Sequence, residues 1–366
     1  MIEKMTVKVI DPVSKSCYTA LLKETDDGYK VEPIAISEMG TETELFLSPG
    51  WIDLHTHVLD GFTSLSVTPD EAGLGKGVHL VVDAGSAGEA TLEGFRKYVV
   101  PQFETDVRAW LNISSIGLVH LREVSDLSLI NVDRTVQAVR DNQPFICGIK
   151  VRSSGAIVGE MGLQPLKLAK LAARETGLPL MVHIGEAPPV IDDVLDLLDE
   201  GDVITHCYHG KIGTPWKADG FPVSALEKAI AKGVKMDVGH GAASFSFDVC
   251  RQAIDKGYTP FTISTDLHIR NINGPVFDLA TTMTKLMYCG MTLEDVIASV
   301  TVSPAEVLGL NEWCQLDGTI KHATLFRITN NPHPNREFRD SKGQIYQLDE
   351  AIVPAGVITA KGFKSL

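Results

Sequence analysis

Two histidines that share one strand face, His55 and His57, are the first chemical signal in the chain. They close the stretch 51–57, whose apolar residues follow a Pro-Gly turn and predict a short strand. In an extended strand, residues i and i+2 point to the same side, so the two imidazoles can bind one metal ion. Two ordinary strand histidines would give the same pattern, so the pair has to be judged with the rest of the chain.

Four further apolar strand candidates carry a polar side chain inside them or at their carboxyl ends: Lys150, His183, His206 and Asp266. Each has an ordinary explanation when taken alone, since a strand-end aspartate often caps the next helix. Lys150 is the hardest to explain in this way, because a buried ammonium without a partner is costly and burial lowers its pKa. A lysine there needs either a carboxylate partner or a chemical change.

Eight predicted strands, each followed by a predicted helix, would position these side chains. The strands are 51–56, 78–83, 112–118, 145–151, 179–184, 202–206, 233–238 and 261–265. The helices are 68–76, 88–99, 132–141, 162–176, 189–199, 222–232, 246–257 and 276–288. This alternation favours a (β/α)8 TIM barrel, in which active sites lie at the carboxyl ends of the strands. An open doubly wound sheet is the alternative, although no Gly-x-Gly-x-x-Gly follows the first strand.

Both ends of the chain are predicted to be rich in β-structure. Strands are expected at 7–10, 18–22 and 29–36, and residues 315–366 show short strands and turns after two more helices, 292–299 and 303–309. We therefore expect the ends, 1–48 and 312–366, to pair into one small β-sandwich satellite domain beside a barrel of residues 49–311.

Composition narrows the class of protein. The 366 residues carry a net charge of -14, which argues against nucleic acid or an anionic membrane as a partner. No apolar run reaches the roughly 18 residues of a membrane span, and the first residues lack the features of a secretion signal. Six scattered cysteines without a Cys-x-x-Cys pair indicate reduced core residues. A cytoplasmic homo-oligomer that binds a small molecule is the expectation.

The order His-x-His, Lys, His, His, Asp resembles the ligand pattern of the amidohydrolase superfamily of metallohydrolases. The stretch 49–57 is similar to the opening motif of that superfamily, and 293–310 is similar to its helical segment after the barrel. Gly318-Thr319-Ile320 resembles the start of its returning satellite strand. The chain departs from the family at 321–325, where Lys-His-Ala-Thr-Leu stands in place of the usual Gly-x-x-Ala-Asp-Leu. The resemblance covers most of the chain.

The resemblance implies two divalent metal ions, with zinc expected and manganese or iron as alternatives. It also implies that CO2 converts Lys150 to a carbamate that bridges both ions, which would remove the buried cation. The other ligands implied are His55, His57 and Asp266 for one ion, and His183 and His206 for the other.

The chemistry implied by the resemblance is hydrolysis by a hydroxide held between the two ions. Two metals lower the pKa of bound water and polarise the substrate carbonyl. Asp266 would take the proton of the attacking hydroxide and deliver it to the leaving group. Asp266 and Lys150 are therefore the catalytic residues that the sequence suggests.

Residues near these ligands are candidates for binding substrate: Arg152, Tyr208, His209, His240 and Gly241. Arg152 lies two residues after Lys150 on the same strand face, where it could bind a substrate carboxylate or pair with a neighbouring acid. The glycines around His240 suggest a close approach of the backbone to the site.

Two branches of the superfamily can be compared. Dihydroorotases are expected to have an arginine shortly after the His-x-His motif, and here 58–61 reads Val-Leu-Asp-Gly. The motifs around Lys150, His183, His206 and His240 resemble a branch often labelled dihydroorotase-like or adenine deaminase-like. Its better-understood members are deacetylases of N-acetyl-D-amino acids and acetylated α-hydroxy acids. Adenine deamination fits less well, because a carbamate-bridged pair of metals is more typical of amide or ester hydrolysis.

The leading hypothesis is a metal-dependent hydrolase that cleaves an amide or ester bond in a small, carboxylate-bearing acylated substrate. A cyclic amide hydrolase, similar to dihydroorotase or hydantoinase, is one alternative, and an adenine deaminase-like enzyme is another. A barrel that binds a metabolite without catalysis is the alternative from a different class.

Overall fold

The computed structural model describes residues 4–34 and 43–366. In these ranges the strands form two seven-stranded sheets and one two-stranded hairpin. Residues 35 and 36, the end of the predicted third strand, lie outside the described ranges.

The first large sheet is parallel, and its strands follow one another in chain order. They are β5 (Trp51–Thr56), β6 (Val78–Ala84), β7 (Asp106–Asn112), β8 (Ile146–Ser153), β9 (Leu180–Ile184), β10 (Val203–Thr205) and β11 (Lys235–Met236). Most of their residues are buried, as expected for parallel strands that are covered on both faces. The sheet is therefore the inner wall of the domain.

A bridged segment, not a regular strand, closes this sheet into a barrel. Asp237 pairs with Thr262 on one side and Thr56 pairs with Leu267 on the other, both in parallel. Residues 262–267 thus occupy the eighth position between β11 and β5. The predicted (β/α)8 barrel is confirmed, although the predicted eighth strand is reduced to isolated bridges.

Helices separate the barrel strands and continue after them. They are α1 (Pro69–Ala72), α2 (Leu92–Gly94), α3 (Val132–Asp141), α4 (Gly155–Val158), α5 (Gln164–Thr176), α6 (Ile191–Leu195), α7 (Ser224–Lys232), α8 (Phe247–Asp255), α9 (Leu279–Tyr288), α10 (Leu293–Ser299) and α11 (Val302–Val307). The predicted helix 132–141 has the bounds of α3. The predicted helix 88–99 is instead a short α-helical turn followed by a π-helical stretch, Phe95–Val99.

The third predicted strand, 112–118, was misplaced. The strand is Asp106–Asn112, and the residues after it form a buried loop in which Ile113 and Leu118 pack into the core. An apolar loop segment that is buried in this way has the same composition as a strand.

The second large sheet is built from both ends of the chain, as predicted for the satellite domain. Its order is β16-β15-β12-β4-β1-β2-β3. The strands are β1 (Lys4–Asp11), β2 (Ser16–Thr25), β3 (Gly28–Pro33), β4 (Leu45–Pro49), β12 (Ala323–Asn330), β15 (Glu350–Thr359) and β16 (Gly362–Ser365). The separate hairpin is β13 (Glu337–Arg339) with β14 (Ile345–Gln347). β4 pairs with β1 and β12 and leads directly into β5, so it connects the satellite sheet to the barrel.

The cysteines are free thiols, and all of them except Cys17 are buried. Cys17 is exposed, so the prediction of a core position is wrong for this residue. In the two described ranges, no helix is long and apolar enough to cross a membrane.

Candidate metal centre

His55, His57 and Asp266 converge where the first barrel strand meets the closing segment. The Asp266 carboxylate places Oδ1 3.0 Å from His57 Nε2 and 3.4 Å from His55 Nε2. One donor atom from each residue lies within 4.8 Å of the other two, as in a site that could hold a metal ion. Asp266 has a positive φ of 51°, a strained conformation that is typical of functional sites.

Hydrogen bonds fix the tautomer of His55. Its Nδ1 lies 2.8 Å from the Thr205 hydroxyl, and that hydroxyl donates to Asp237 Oδ2 at 2.7 Å. Because the only hydroxyl proton is already used, Nδ1 of His55 must donate. The lone pair of His55 therefore sits on Nε2, the nitrogen that faces Asp266.

His206 has the same arrangement, and the contact of His57 is compatible with it. Nδ1 of His206 is 2.6 Å from the Gly239 carbonyl oxygen, which can only accept, so this nitrogen carries the proton. Nδ1 of His57 lies 2.9 Å from the Ser86 hydroxyl. Partners of this kind orient metal-binding histidines in proteins and leave Nε2 free for the ion.

The Nε2 lone pairs of His55 and His206 face the Asp266 carboxylate, which is a repulsive arrangement unless a cation lies between them. Burial lowers the pKa of His206 to about 3 and lowers that of His55 well below its ordinary value, so neither ring carries a compensating charge. A divalent cation bound by the imidazole nitrogens and the carboxylate would remove the repulsion. The donor set therefore fits a metal ion.

Lys150 lies fully buried on β8 beside this cluster. Its Nζ contacts His55 Nε2 and Met181 Sδ, each at 3.3 Å, and neither partner is a carboxylate. Burial lowers the pKa of Lys150 to about 7. Space for the side chain depends on Gly85, since a Cβ there would come 2.7 Å from Lys150 Cγ.

His183 and His206 extend the cluster along the barrel wall. Their ring centroids are 4.4 Å apart, and the centroid of His206 is 5.2 Å from that of His55. Burial lowers the pKa of His183 well below its ordinary value, so it too is a neutral nitrogen donor. The structure thus brings all six predicted metal-site residues to one end of the barrel.

A layer of buried carboxylates lies behind the histidines; the strand pattern places Asp53 on their face, whereas the role of Asp237 was missed from the sequence. Asp237 accepts hydrogen bonds from the hydroxyls of Thr205, Thr262 and Ser264, each at 2.7 Å. Asp53 accepts from the backbone N–H of Thr265 at 3.1 Å and also from its hydroxyl. The hydroxyl-bearing residues near the strand ends were the only sequence signal for the role of Asp237.

Arg152 is held by an acid. Its Nε donates to Glu123 Oε1 at 2.8 Å, and its Nη2 donates to the Leu121 carbonyl oxygen at 2.7 Å and to the other Glu123 oxygen. Glu123 is fully buried. These contacts favour the second interpretation of Arg152, a pair with a neighbouring acid, over the first.

His240 has no ring nitrogen left for a substrate. Nδ1 donates to the Gly241 carbonyl oxygen at 2.8 Å, and Nε2 accepts from Lys285 Nζ at 2.9 Å. The substrate contact predicted for His240 stays a prediction, and it would require one of these two hydrogen bonds to be exchanged. Gly241 does make a close approach to the site, because a Cβ there would lie 2.5 Å from Asp266 Oδ2.

The two candidates after His206 differ from each other. Tyr208 is a core residue whose hydroxyl donates to the Tyr258 carbonyl oxygen at 3.2 Å and whose ring stacks on Trp216, and these contacts favour a structural role over the predicted substrate contact. Nδ1 of His209 accepts from the Lys211 backbone N–H at 3.1 Å. Within the described residues, Nε2 of His209 is buried without a protein partner.

Curated relatives cover most of the chain, although no family profile matches it. A deacetylase of Agrobacterium fabrum is 42% identical over 313 residues, 84% of this chain and 76% of the relative. A deacetylase of Brucella anthropi is 42% identical over 328 residues, 87% of this chain and 81% of the relative. A deacetylase of Enterococcus faecalis is 38% identical over 327 residues.

Two solved structures are similar over nearly the whole chain. One, described as a dihydroorotase, superposes with a TM-score of 0.87 at 37% identity, covering 99% of this chain and 98% of the other. The second, described as an adenine deaminase, has a TM-score of 0.89 at 34% identity, covering 98% of both chains. A phenylurea hydrolase at 15% identity and a TM-score of 0.61 shares the fold alone.

Proposed function

This chain belongs to the deacetylase branch of the amidohydrolase superfamily, and we propose that it is a two-metal deacylase for small acylated carboxylates. It is a metal-dependent hydrolase, and the proposal adds the metal count, the lysine modification and the substrate class. The observation that carries the proposal is the set of histidines with Nδ1 engaged and Nε2 turned to one carboxylate, beside a buried lysine whose contacts among the described residues include no acid.

In the proposed site, His55, His57 and Asp266 hold one ion, and His183 and His206 hold the other. Two bound divalent ions would lower the pKa of water and polarise the scissile carbonyl. Zinc is the proposed metal, since imidazole and carboxylate ligands suit it, and these ligands also suit manganese and iron.

Lys150 is proposed to react with CO2. The reaction joins the amine nitrogen to the carbon of CO2 and releases one proton, and it requires the neutral amine. A pKa of about 7 gives Lys150 a large neutral fraction at neutral pH. The carbamate is an anion, so the modification would convert the buried lysine into a ligand for the metal ions.

Asp266 is proposed to move the proton during hydrolysis. Its Oδ1 is close to two histidine Nε2 atoms, whereas Oδ2 is 4.0 Å from His206 Nε2 and borders Gly241. Oδ2 is therefore the oxygen available to take a proton from the attacking water and to pass it to the leaving nitrogen or oxygen.

Positive charge near His183 supports a carboxylate on the substrate. Arg152 and Lys211 are both among the charges that lower the pKa of His183 further, after burial. Lys211 is partly exposed and pairs with Glu186 at 3.0 Å. A substrate anion at this end of the barrel would meet the partly exposed Lys211, whereas Arg152 is already paired with Glu123.

Cyclic amide hydrolysis and adenine deamination are the competing functions, because the two similar solved structures carry those descriptions. Protein produced with zinc or manganese should hold about two ions per chain and release acetate from N-acetyl-D-amino acids or acetylated α-hydroxy acids. Dihydroorotate, hydantoin and adenine serve as the comparison substrates. Ring opening or ammonia release at the higher rate would overturn the proposal, and metal-free protein that added metal does not activate would favour a non-catalytic barrel.

A further inference from the structure

Another buried lysine, Lys285 on α9, is linked to Asp266 through His240 and Gly241. Its Nζ donates to the carbonyl oxygens of Pro275 and Arg339, each at 2.7 Å, and to His240 Nε2 at 2.9 Å. All three ammonium protons are thereby used, and none of these partners is a carboxylate. An apolar residue would fill this space without the cost of burying an amine, so the lysine requires an explanation.

The contact with Lys285 fixes the state of His240. Because Nδ1 must donate to the Gly241 carbonyl oxygen, Nε2 can only accept, and Lys285 supplies the matching proton. Burial and then the charge of Lys285 lower the pKa of His240 well below its ordinary value, so the ring is neutral. Phe245 stacks on the ring at 4.6 Å and 23°, which leaves little freedom of orientation.

His240 in turn holds the peptide that packs against the catalytic carboxylate. Gly241 has a φ of +55° and sits so close to Asp266 Oδ2 that a side chain there would overlap it. The backbone N–H of Gly241 donates to the Thr265 carbonyl oxygen at 2.9 Å, one residue before Asp266. The position of this peptide therefore limits where Oδ2 can lie.

We propose that Lys285 is a positioning residue for hydrolysis, which acts through His240 and the Gly241 peptide to hold Asp266 Oδ2 in place. The proposal rests on the proposed proton transfer by Asp266. The hydrogen bonds of Lys285 go to His240 and to two backbone carbonyl oxygens and reach no proposed metal ligand, so the proposed effect is on the geometry of the carboxylate. Proton transfer by a positioned group contributes about 10² to 10⁴-fold to a rate, and a 1 Å displacement of a reacting group can cost about 10²-fold.

The test compares Lys285→Met with wild-type holoenzyme. The variant keeps the length and apolar volume of the side chain but donates no hydrogen bond. We expect kcat to fall by about 30-fold or more, with KM within about threefold and the metal content unchanged. Because Ala242, Pro275 and Arg339 also line a cavity of about 510 Å³, a raised KM with normal kcat would assign Lys285 to shaping that cavity and overturn the proposal.

A double variant tests the order of the contacts. His240→Phe keeps the stacking on Phe245 and removes both ring hydrogen bonds. If Lys285 acts through His240, Lys285→Met should add little loss of kcat to His240→Phe, whereas independent packing effects would multiply. Lys170→Met, which removes a buried lysine outside the site, is the matched control and should leave kcat per metal-loaded chain near the wild-type value.

A spectroscopic readout separates this proposal from the proposed function. In ¹⁵N imidazole spectra, wild-type His240, assigned by its absence in His240→Phe, should be the Nδ1–H tautomer, and Lys285→Met should shift or mix the tautomers. An unchanged tautomer together with unchanged kcat would overturn the role of Lys285 while leaving the deacylase assignment intact. Wild-type protein that hydrolyses no acylated substrate would overturn the deacylase assignment, and the spectra would still decide the contact.

Discussion

Two buried lysines, Lys150 and Lys170, lie near opposite ends of the barrel and have different partners. Lys170, on α5, pairs with Asp199 at 3.0 Å and with Asp202, which precedes β10. Lys150, on β8, contacts a histidine nitrogen and a thioether sulfur. The same residue type is therefore neutralised by acids at the amino end and left without an acid at the carboxyl end.

The difference distinguishes a buried lysine that stabilises the fold from a buried lysine that takes part in chemistry. An ammonium taken out of water needs a compensating charge, and the acids around Lys170 supply it. At Lys150 the nearby groups are themselves potential metal ligands, so compensation has to come from ions or from modification of the amine. A buried cation without an acid partner thus marks the end of the barrel where chemistry occurs.

The largest effect is expected from Lys150→Met. Loss of the proposed bridging ligand should reduce the metal content from about two ions to one or fewer and lower kcat/KM on the order of 10³-fold, since a metal contributes several kcal/mol of transition-state stabilisation. Metal analysis and steady-state kinetics of the purified variant measure both quantities. A variant that keeps both ions and its activity would show that Lys150 is not a metal ligand and that its burial has no chemical role.

Lys170→Met should act on stability and not on catalysis. Asp202, which is 3% exposed, would lose its cation, and breaking a buried pair from one side costs about 3–5 kcal/mol. Urea unfolding of the metal-free protein should show this loss, while kcat per metal-loaded chain stays within about twofold of wild type. A stable but inactive Lys170→Met protein would contradict the distinction between the two ends.

Arg152 is paired with an acid, as Lys170 is, but it lies at the end of the barrel that holds the proposed metal site. Its substitution shows whether such a paired cation also contributes to stability and not to catalysis. Arg152→Met leaves Glu123 buried and unpaired, so we expect a loss of about 3 kcal/mol in the free energy of unfolding. Replacing the acid as well, in Arg152→Met with Glu123→Leu, should restore most of that stability. A double variant that is stable yet still impaired toward carboxylate substrates, compared with neutral ones, would assign Arg152 to substrate binding.

The last effect is spread over several pH units and is small at any one step. Burial lowers the pKa of Lys150 from 10.5 to about 7, so between these values the unfolded metal-free chain binds one more proton than the folded chain at this site. The free energy of unfolding should therefore rise with pH by about 1.4 kcal/mol per unit from this lysine, and the slope should vanish below about pH 7. Unfolding curves in CO2-free buffer should show a steeper rise for wild type than for Lys150→Met, and parallel curves would contradict the shift.

The sequence was sufficient for the family, the fold class and the hydrolytic activity, all of which the relatives confirm. It was sufficient because a polar residue at the end of an apolar run can be recognised from the sequence alone, without knowing which residues it contacts. Residues such as His206 and Asp266 stand at the end of apolar runs, where the alternation of strands and helices places them on one rim.

Contacts between distant segments could not be read in the same way. Glu123 lies in a loop 29 residues before Arg152, so the sequence left two roles open for the arginine. Lys285 follows His240 by 45 residues, and the sequence around His240 does not indicate that its Nε2 accepts a hydrogen bond from this lysine. Asp237 follows a two-residue strand, and its role as a hydrogen-bond acceptor depends on hydroxyls from two neighbouring segments.

The central place of β4 in the satellite sheet has a consequence for synthesis on the ribosome. One junction contact, between the Trp51 backbone N–H and the Thr324 hydroxyl, joins residues 273 positions apart. At translation rates of about 5–20 residues per second, roughly 14–55 seconds pass between their appearance. During that time the apolar strand Leu45–Pro49 lacks its later neighbour, β12, and exposes an unpaired edge. Until β12 has been synthesised, this edge of β4 is open to pairing with strands of other chains.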